Sequence, residues 1–470
     1  MRNGTGRFFS AEAQISGQLP PRDKCIPGVG FARPIAGNYP AYDRESNNAF
    51  SVRLPNGPVV GTTPPSSGDD YEFSGKSPGR ANGRPELTPL SPASSTRRVG
   101  LSSPRFRRRV HRRTGIDCLW RKFGKVASVE DMTRYVMPAE SAPHARTWLA
   151  WPAKESVWED LLPLVRADVA RLARAVAEFE PVTMLARREH VEDARRAVGS
   201  AVEVVPGPLD DLWMRDTGPT FVGAPGAGIV GIDFNFNGWG QKAEYHLDAR
   251  VARKVLERAG IPRVIAPIVA EGGAFEVDGA GTLLATESSL VNPSRNPGYD
   301  HDAIEKALGE LLGITKVVWL QGVAGEDVTD CHVDAVARFA EPGVVLVVCP
   351  VDPDPEDVFA RAAVQACEIL RQATDADGRR FEVVELPQPA AAALPGRRGP
   401  DFLYSYANFY VGNGAVYLPV YGDTHNDDRA AGILGDVFPG RAVVRVEYNA
   451  VAEGGGGIHC STQQQPLAAV

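Results

Sequence analysis

The sequence predicts an α/β domain of five repeated strand–helix–strand units, preceded by a long extension of different texture. Three observations predict it. From Tyr135 onward, short apolar runs of strand length alternate with segments of helical period. This cassette recurs five times, at irregular spacings of roughly 50 to 80 residues, which suggests pseudo-symmetric repetition around an axis. A polar cluster follows each copy. Ordinary α/β alternation in a doubly wound sheet is the competing arrangement.

Residues 1–131 are rich in Pro, Gly, Ser and Arg and almost lack periodic apolar positions. Such a segment cannot bury enough apolar surface to offset its ordering entropy, so it is expected to be disordered. Its basic run (Arg97, Arg98, Arg105, Arg107, Arg108, Arg109, Arg112, Arg113) reads as a solvated tail or, alternatively, as a nucleic-acid or membrane-surface arm. An over-long translation start is a third reading, with Met132 or Met137 as the natural beginning. No basic region followed by an apolar one marks a secretory signal.

The catalytic-type domain is expected over residues 132–470. Its first unit reads Thr147 to Pro152, a helix over Asp160 to Glu178, then Pro181 to Leu185. The second reads Gly228 to Phe234, a helix around Tyr245 to Ala259, then Arg263 to Ile265. The third reads Thr282 to Thr286, a helix over Asp302 to Leu312, then Lys316 to Leu320. The fourth reads Val344 to Cys349, a helix over Glu356 to Ala373, then Phe381 to Val384. The fifth reads Ala415 to Pro419, a short helix after Asn426, then Ala442 to Val446.

The clusters that follow carry Asp210-Asp211-Leu212-Trp213-Met214-Arg215-Asp216, Glu271-Gly272-Gly273, His332-Val333-Asp334, Tyr406-Ala407-Asn408, and Glu453-Gly454-Gly455-Gly456-Gly457-Ile458-His459-Cys460. If the units ring an axis, these clusters converge on it. The four glycines let backbone approach a ligand closely and lead to a cysteine, a plausible setting for a thiolate in a tight pocket.

Bulk composition excludes some classes. The chain has 470 residues, 43% hydrophobic and 23% charged, with a net charge of −7, so no global basic field argues for nucleic acid. No run of eighteen apolar residues spans a membrane. Six scattered cysteines show no CxxC pair, disulfide framework or zinc spacing, which fits a reducing cytoplasm.

The clusters allow a specific chemistry. Cys460 is a nucleophile or a buried apolar thiol; His332 is a general acid/base or a satisfied core histidine. On a strand, His332 and Asp334 share one face and Cys331 and Val333 the other, which separates Cys331 from the site and disfavours a metal cluster. Asp216 is a surface partner of Arg215 or is held by a Thr217-Gly218-Pro219 turn. Three acids around a thiol raise its pKa, which makes sense only if the substrate brings its own positive charge. A planar guanidinium matches two carboxylates, so Asp216 and Asp334 could hold its nitrogens with the central carbon over Cys460.

The stretches Trp148-Leu149-Ala150-Trp151-Pro152, Trp213 to Pro219, Asn237-Gly238-Trp239-Gly240, Glu271-Gly272-Gly273, Asn292 to Pro297, His332-Val333-Asp334 and Gly455 to Gln464 resemble the agmatine deiminase and bacterial peptidyl-arginine deiminase family of guanidino-group-modifying enzymes. The resemblance implies a five-bladed α/β propeller, the pentein fold, and a covalent amidino-cysteine intermediate. It assigns attack to Cys460, acid/base work to His332, support of His332 to Glu271, and the guanidinium to Asp216 and Asp334. Asn408 matches a pocket asparagine of the peptidyl-arginine branch, and Trp213, Trp239, Gly456 and Gly457 are expected to line the substrate. Three features depart from the usual agmatine deiminase pattern: Gly457, Cys331, and the Gln241-Lys242-Ala243-Glu244 run.

With agmatine the expected products are ammonia and N-carbamoylputrescine, a step toward putrescine, with no metal or organic cofactor. The expected partner is a small guanidine, with no nucleic acid and no membrane; a homo-oligomer is compatible. Asp210, Asp211, Trp151, Trp213 and Trp239 suit the distal ammonium of a small amine. Peptidyl-arginine deimination, amidino transfer and an inactive propeller used as a binding module are the alternatives.

Overall fold

The computed structural model describes residues 135–467 apart from positions 225, 227, 352 and 397. The expectations for residues 1–131 lie outside the described residues, as does Met132.

The first unit forms β1 (His144–Ala150), α1 (Leu162–Ala177) and β2 (Val182–Ala186), then α2 (Val191–Val198) and β3 (Val202–Pro206). The second comprises β4 (Thr220–Ala224), β5 (Gly228–Asp233), α3 (Val251–Ala259) and β6 (Arg263–Ile265). The third comprises β7 (Phe275–Val277), β8 (Thr282–Thr286), α4 (His301–Leu312) and β9 (Lys316–Leu320). The fourth comprises β10 (Ala337–Glu341), β11 (Val344–Val348), α5 (Val358–Gln372) and β12 (Glu382–Leu386). The fifth comprises β13 (Tyr410–Gly412), β14 (Ala415–Val420), α6 (Thr424–Val437) and β15 (Ala442–Glu447).

Units two to five share one plan. An antiparallel pair comes first, and a helix then crosses to a parallel third strand. In the first unit the antiparallel strand arrives last. Strand β16 (Gln463–Pro466), at the far end of the chain, pairs with β1 and gives the order β16-β1-β2-β3.

Local chemistry accounts for the elements. Central β14 reads AVYLPV and is buried at five of its six positions, as a parallel strand covered on both faces must be. The outer strands β6, β12 and β15 carry Arg263, Glu382, Glu385, Arg445 and Glu447, which keep unpaired edges charged. Asp300, Asp357 and Asp423 each accept a first-turn amide at the start of α4, α5 and α6. Left-handed Gly260 and Gly313 end α3 and α4.

Among the described residues, five apolar cores each join two neighbouring units. Trp148 and Leu185 meet Phe221 and Leu256 between the first and second. Ile232 and Phe234 meet Phe275 and Leu308 between the second and third. Leu284 and Leu320 meet Phe339 and Leu370 between the third and fourth. Leu346 and Leu386 meet Phe409 and Leu434 between the fourth and fifth. Tyr410 and Tyr417 meet Leu172 and Val176 between the fifth and first. The ring is closed: this is a five-bladed α/β propeller and not a doubly wound sheet.

Several expectations are corrected. The inner strands β4, β7, β10, β13 and β16 went unread because they are short and place polar residues such as Glu276, Arg338 and Tyr410 at buried positions. Strand β3 extends the first unit beyond its expected end at Leu185. The second helix starts at Val251, because the inward-turned Asp248 accepts the amides of Asp210 and Asp211 upstream. The fifth helix is fourteen residues long, not short. Cys349 and Cys367 form a disulfide, against the expectation of unpaired cysteines; α5 folds back over β11 and brings their Cα atoms to 6.4 Å. Among the described residues, no helix is long and apolar enough to cross a membrane.

Candidate active site

Each blade's chain enters its inner strand through one segment that carries a candidate site residue. Asp216 precedes β4, Glu271 precedes β7, His332 and Asp334 precede β10, Asn408 precedes β13, and Cys460 precedes β16. The equivalent placement makes the five segments converge.

Asp216 sits on a helical turn, Met214–Thr217, closed by Gly218; the expected simple turn at Thr217 is therefore part of a helix. Its Oδ1 accepts the Gly273 amide at 3.0 Å and its Oδ2 the Trp239 indole at 2.9 Å. Burial pushes its carboxyl up; the nearby His332 opposes this, while Asp334 and Glu271 add to it. Trp239 is buried and backbone-strained, at φ 54° within a run of positive φ from Gly238 to Gln241.

His332 and Asp334 do not lie on a strand. Cys331 has φ 65° and Val333–Ala335 form a 3-10 turn, so the alternation argument fails although both side chains still reach the site. His332 Nδ1 is 3.8 Å from Asp216 Oδ2, and Nε2 is 3.5 Å from Glu271 Oε2. Burial opposes its cation, but Asp216, Glu271 and Asp334 outweigh burial and bring the imidazole up to about 9. Glu271 is fully buried against Arg295 Nε, at 2.7 and 3.0 Å from its two oxygens. Burial alone would raise the Glu271 carboxyl; Arg295 and His332 hold it below its ordinary range. Arg295 also binds Asp330 at 2.7 Å, and Asp330 binds Lys242 at 2.7 Å. Cys331 is buried elsewhere, its thiol pushed up to about 12 chiefly by burial.

Cys460 lies in the turn Ile458–Ser461. Its sulfur is 3.2 Å from Asn408 Nδ2 and donates to Asp334 Oδ2 at 3.5 Å. Burial, Asp334 and Asp216 together hold the thiol well above the usual thiol range. Asp334 Oδ2 also accepts His459 Nδ1 at 2.7 Å, whereas its Oδ1 is buried with no partner. Burial would raise the Asp334 carboxyl, but His459 foremost and His332 after it keep it low.

Gly273 marks the centre. A Cβ there would stand 2.7 Å from His332 Nδ1 and 3.0 Å from both Asp216 Oδ1 and Asp334 Oδ2. Glycine at this position lets the backbone pack tightly against the acid/base candidate and both candidate acids. The glycine run works differently from the sequence argument. A Cβ on Gly456 would meet the Trp213 ring at 2.3 Å and one on Gly457 the Asn408 Oδ1 at 2.5 Å, so these faces accommodate protein side chains. Trp213 packs 5.9 Å from Trp158, whose indole donates to the buried Asp211 at 2.8 Å. Asp210 is occupied by Lys154 at 3.0 Å and by the Leu247 amide at 2.7 Å. Trp151 lies under Arg166, in the same apolar core as Trp158 and Trp213. Among the described residues, no cluster of three or more His, Cys, Asp or Glu is placed to hold a metal.

The family model described as Porphyromonas-type peptidyl-arginine deiminase matches residues 136–466. The chain belongs to that family. It is 46% identical over 338 residues to a relative from Streptomyces coelicolor, covering 70% of this chain and 98% of the relative. It is 40% identical over 355 residues to the agmatine deiminase of Stutzerimonas stutzeri, covering 71% and 95% of the two chains. The solved agmatine deiminase of Enterococcus faecalis superposes with a TM-score of 0.68 at 32% identity, covering 73% of this chain and 99% of that one. The propeller is thus the pentein architecture of the deiminase family.

Sequence reasoning about this deiminase missed His459, Arg295 and Glu140. His459 directly precedes Cys460 and Arg295 lies within the Asn292 to Pro297 stretch, so adjacency was the available signal. Glu140, buried against Arg215, Arg338 and His459, lies before β1 and carried no local signal.

Proposed function

We propose that this chain hydrolyses the guanidino group of agmatine to N-carbamoylputrescine and ammonia, by way of an amidino adduct on Cys460. The observation that carries this reading is the buried Asp334, whose Oδ2 takes the Cys460 thiol while its Oδ1 has no partner. A buried carboxylate oxygen without a donor is costly, and a guanidinium N–H supplies the missing one.

The steps follow from the residues present. Bound between Asp216 and Asp334, the cation offsets the acid field that keeps Cys460 protonated; the thiol releases its proton to solvent, and the thiolate attacks the guanidinium carbon. His332, an imidazolium at neutral pH, protonates the leaving nitrogen, and ammonia departs. The now neutral His332 takes a proton from water as that water attacks the thiouronium carbon. The C–S bond breaks as the hydroxyl proton of the adduct passes to the departing sulfur, and a ureido product and the free Cys460 thiol remain. Glu271, itself clamped by Arg295, holds the imidazole in place through this cycle.

The family description names a peptidyl-arginine deiminase, and Asn408 was the residue favouring a peptide substrate. In this site Asn408 is committed to Cys460 and to the neighbouring amides. Trp213 and Trp158, packed over the glycine run with the buried Asp211 behind them, favour a short amine. The test is ammonia and ureido product measured with agmatine, free arginine and an arginine peptide. Agmatine should lead by at least about tenfold in kcat/KM; faster turnover of the peptide would reverse the assignment.

A further inference from the structure

We propose that His459 is a positioning residue for this reaction: clamped between Asp334 and Glu140, it decides which oxygen of Asp334 remains for the substrate. The inference rests on the deiminase reading above.

His459 is buried, and each ring nitrogen faces a carboxylate. Nδ1 is 2.7 Å from Asp334 Oδ2 and Nε2 is 2.9 Å from Glu140 Oε2. Carboxylates accept, so both ring nitrogens carry hydrogen in this arrangement. Glu140 is a rigid anchor. Its oxygens also take Arg215 Nη2 at 2.8 Å, Arg338 Nη2 at 2.8 Å and the Val411 amide at 2.9 Å. The backbone of His459 is held as well: its amide donates to Asn408 Oδ1 at 3.0 Å and its carbonyl accepts Arg215 Nε at 3.3 Å. The ring therefore has one orientation, tied to three other blades.

The consequence falls on Asp334. With Oδ2 taken by His459 and the Cys460 thiol, only Oδ1 is free, and it is the atom without a partner. A carboxylate that could rotate would present either oxygen and could also turn its hydrogen-bonded edge away from the guanidinium. The charged and titratable groups facing Asp334 are His459, His332, Arg338, Asp216, Cys460 and Cys331; those facing His459 are Asp334, Glu140, Glu276 and Arg215. Burial would raise the Asp334 carboxyl, and His459 leads the groups that lower it. Because His459 and Cys460 are consecutive, the turn that presents the nucleophile also sets its acid partner.

The test uses the full chain with His459→Gln and His459→Asn, each checked for folding by circular dichroism and a thermal melt. Neither amide can donate from both ends. The expected result is an agmatine KM raised about 10- to 100-fold, a smaller fall in kcat, and an acid limb of kcat/KM displaced to higher pH. A folded variant with unchanged KM and an unmoved acid limb overturns the proposal. That outcome is distinct from failure of the deiminase reading, which would show as no ammonia from the unaltered chain. If both variants fail to fold, nitrogen-15 histidine spectra of the unaltered chain decide. Two ring N–H signals from His459, each hydrogen-bonded, support the clamp; a single ring N–H overturns it.

Discussion

The side-chain amide of Asn408 donates to the Cys460 sulfur across 3.2 Å, while its oxygen accepts the amides of His459 and Cys460 at 3.0 and 3.4 Å. One residue from the fifth blade thereby fixes both the backbone turn and the sulfur that the turn presents. Asn408→Ala is expected to lower kcat about 10- to 100-fold, in line with loss of a hydrogen bond to a reacting group. Steady-state ammonia release and the alkylation rate of Cys460 with iodoacetamide check it, and both should fall together.

Gly273→Ala places a methyl against His332, Asp216 and Asp334 at once. The outcome expected is loss of agmatine binding by more than about 100-fold, because the added carbon pushes His332, Asp216 and Asp334 out of their present positions. Calorimetric titration of Cys460→Ser with agmatine, with and without the second change, reads it directly.

The pH dependence follows from His332. Its folded pKa, about 9, stands above its ordinary value of 6.5. Protonation therefore contributes stability that is fully present below pH 6.5 and is lost as pH rises through about 9. The melting temperature should decline between these limits, and decline less in His332→Gln. If His332 protonates the leaving nitrogen as proposed, activity should fall on the alkaline side as its imidazolium is lost.

Asp211 has the opposite role to a stabilising acid. Burial raises its carboxyl to about 6, only partly offset by the Trp158 indole. Its favourable state is complete below the ordinary value of 3.8 and is lost as pH rises through about 6. Asp211→Asn keeps an oxygen for Trp158 and removes the charge. It should raise stability at pH 7.5 by about 1 to 3 kcal/mol and change little at pH 4. Urea unfolding at the two pH values checks it.

The repeat was legible because the central strands and crossover helices obey simple periods. Ala415 to Val420 is continuously apolar, and α4 and α5 lie within two residues of their expected limits. The inner strands were not, because their pattern answers to the axis. Glu276, Arg338 and Tyr410 are buried in partnership with residues far away in sequence, which no local window sees. The site was legible where chemistry demanded a residue type: an acid pair for a guanidinium, a thiol, an imidazole. It was illegible where a residue acts through another, as Arg295 does through Glu271. The strand argument for His332 and Asp334 failed because left-handed Asp330 and Cys331 turn the chain before it can extend.

The most direct test of the central claim is the fate of Cys460 during turnover. Acid quenching of the unaltered chain with agmatine, followed by intact mass and peptide mapping, should show an amidino adduct on Cys460. Ammonia and ureido product should form in equal amounts, and Cys460→Ser should bind agmatine yet release no ammonia. Turnover by Cys460→Ser at the unaltered rate, with no adduct on that cysteine, would contradict the account.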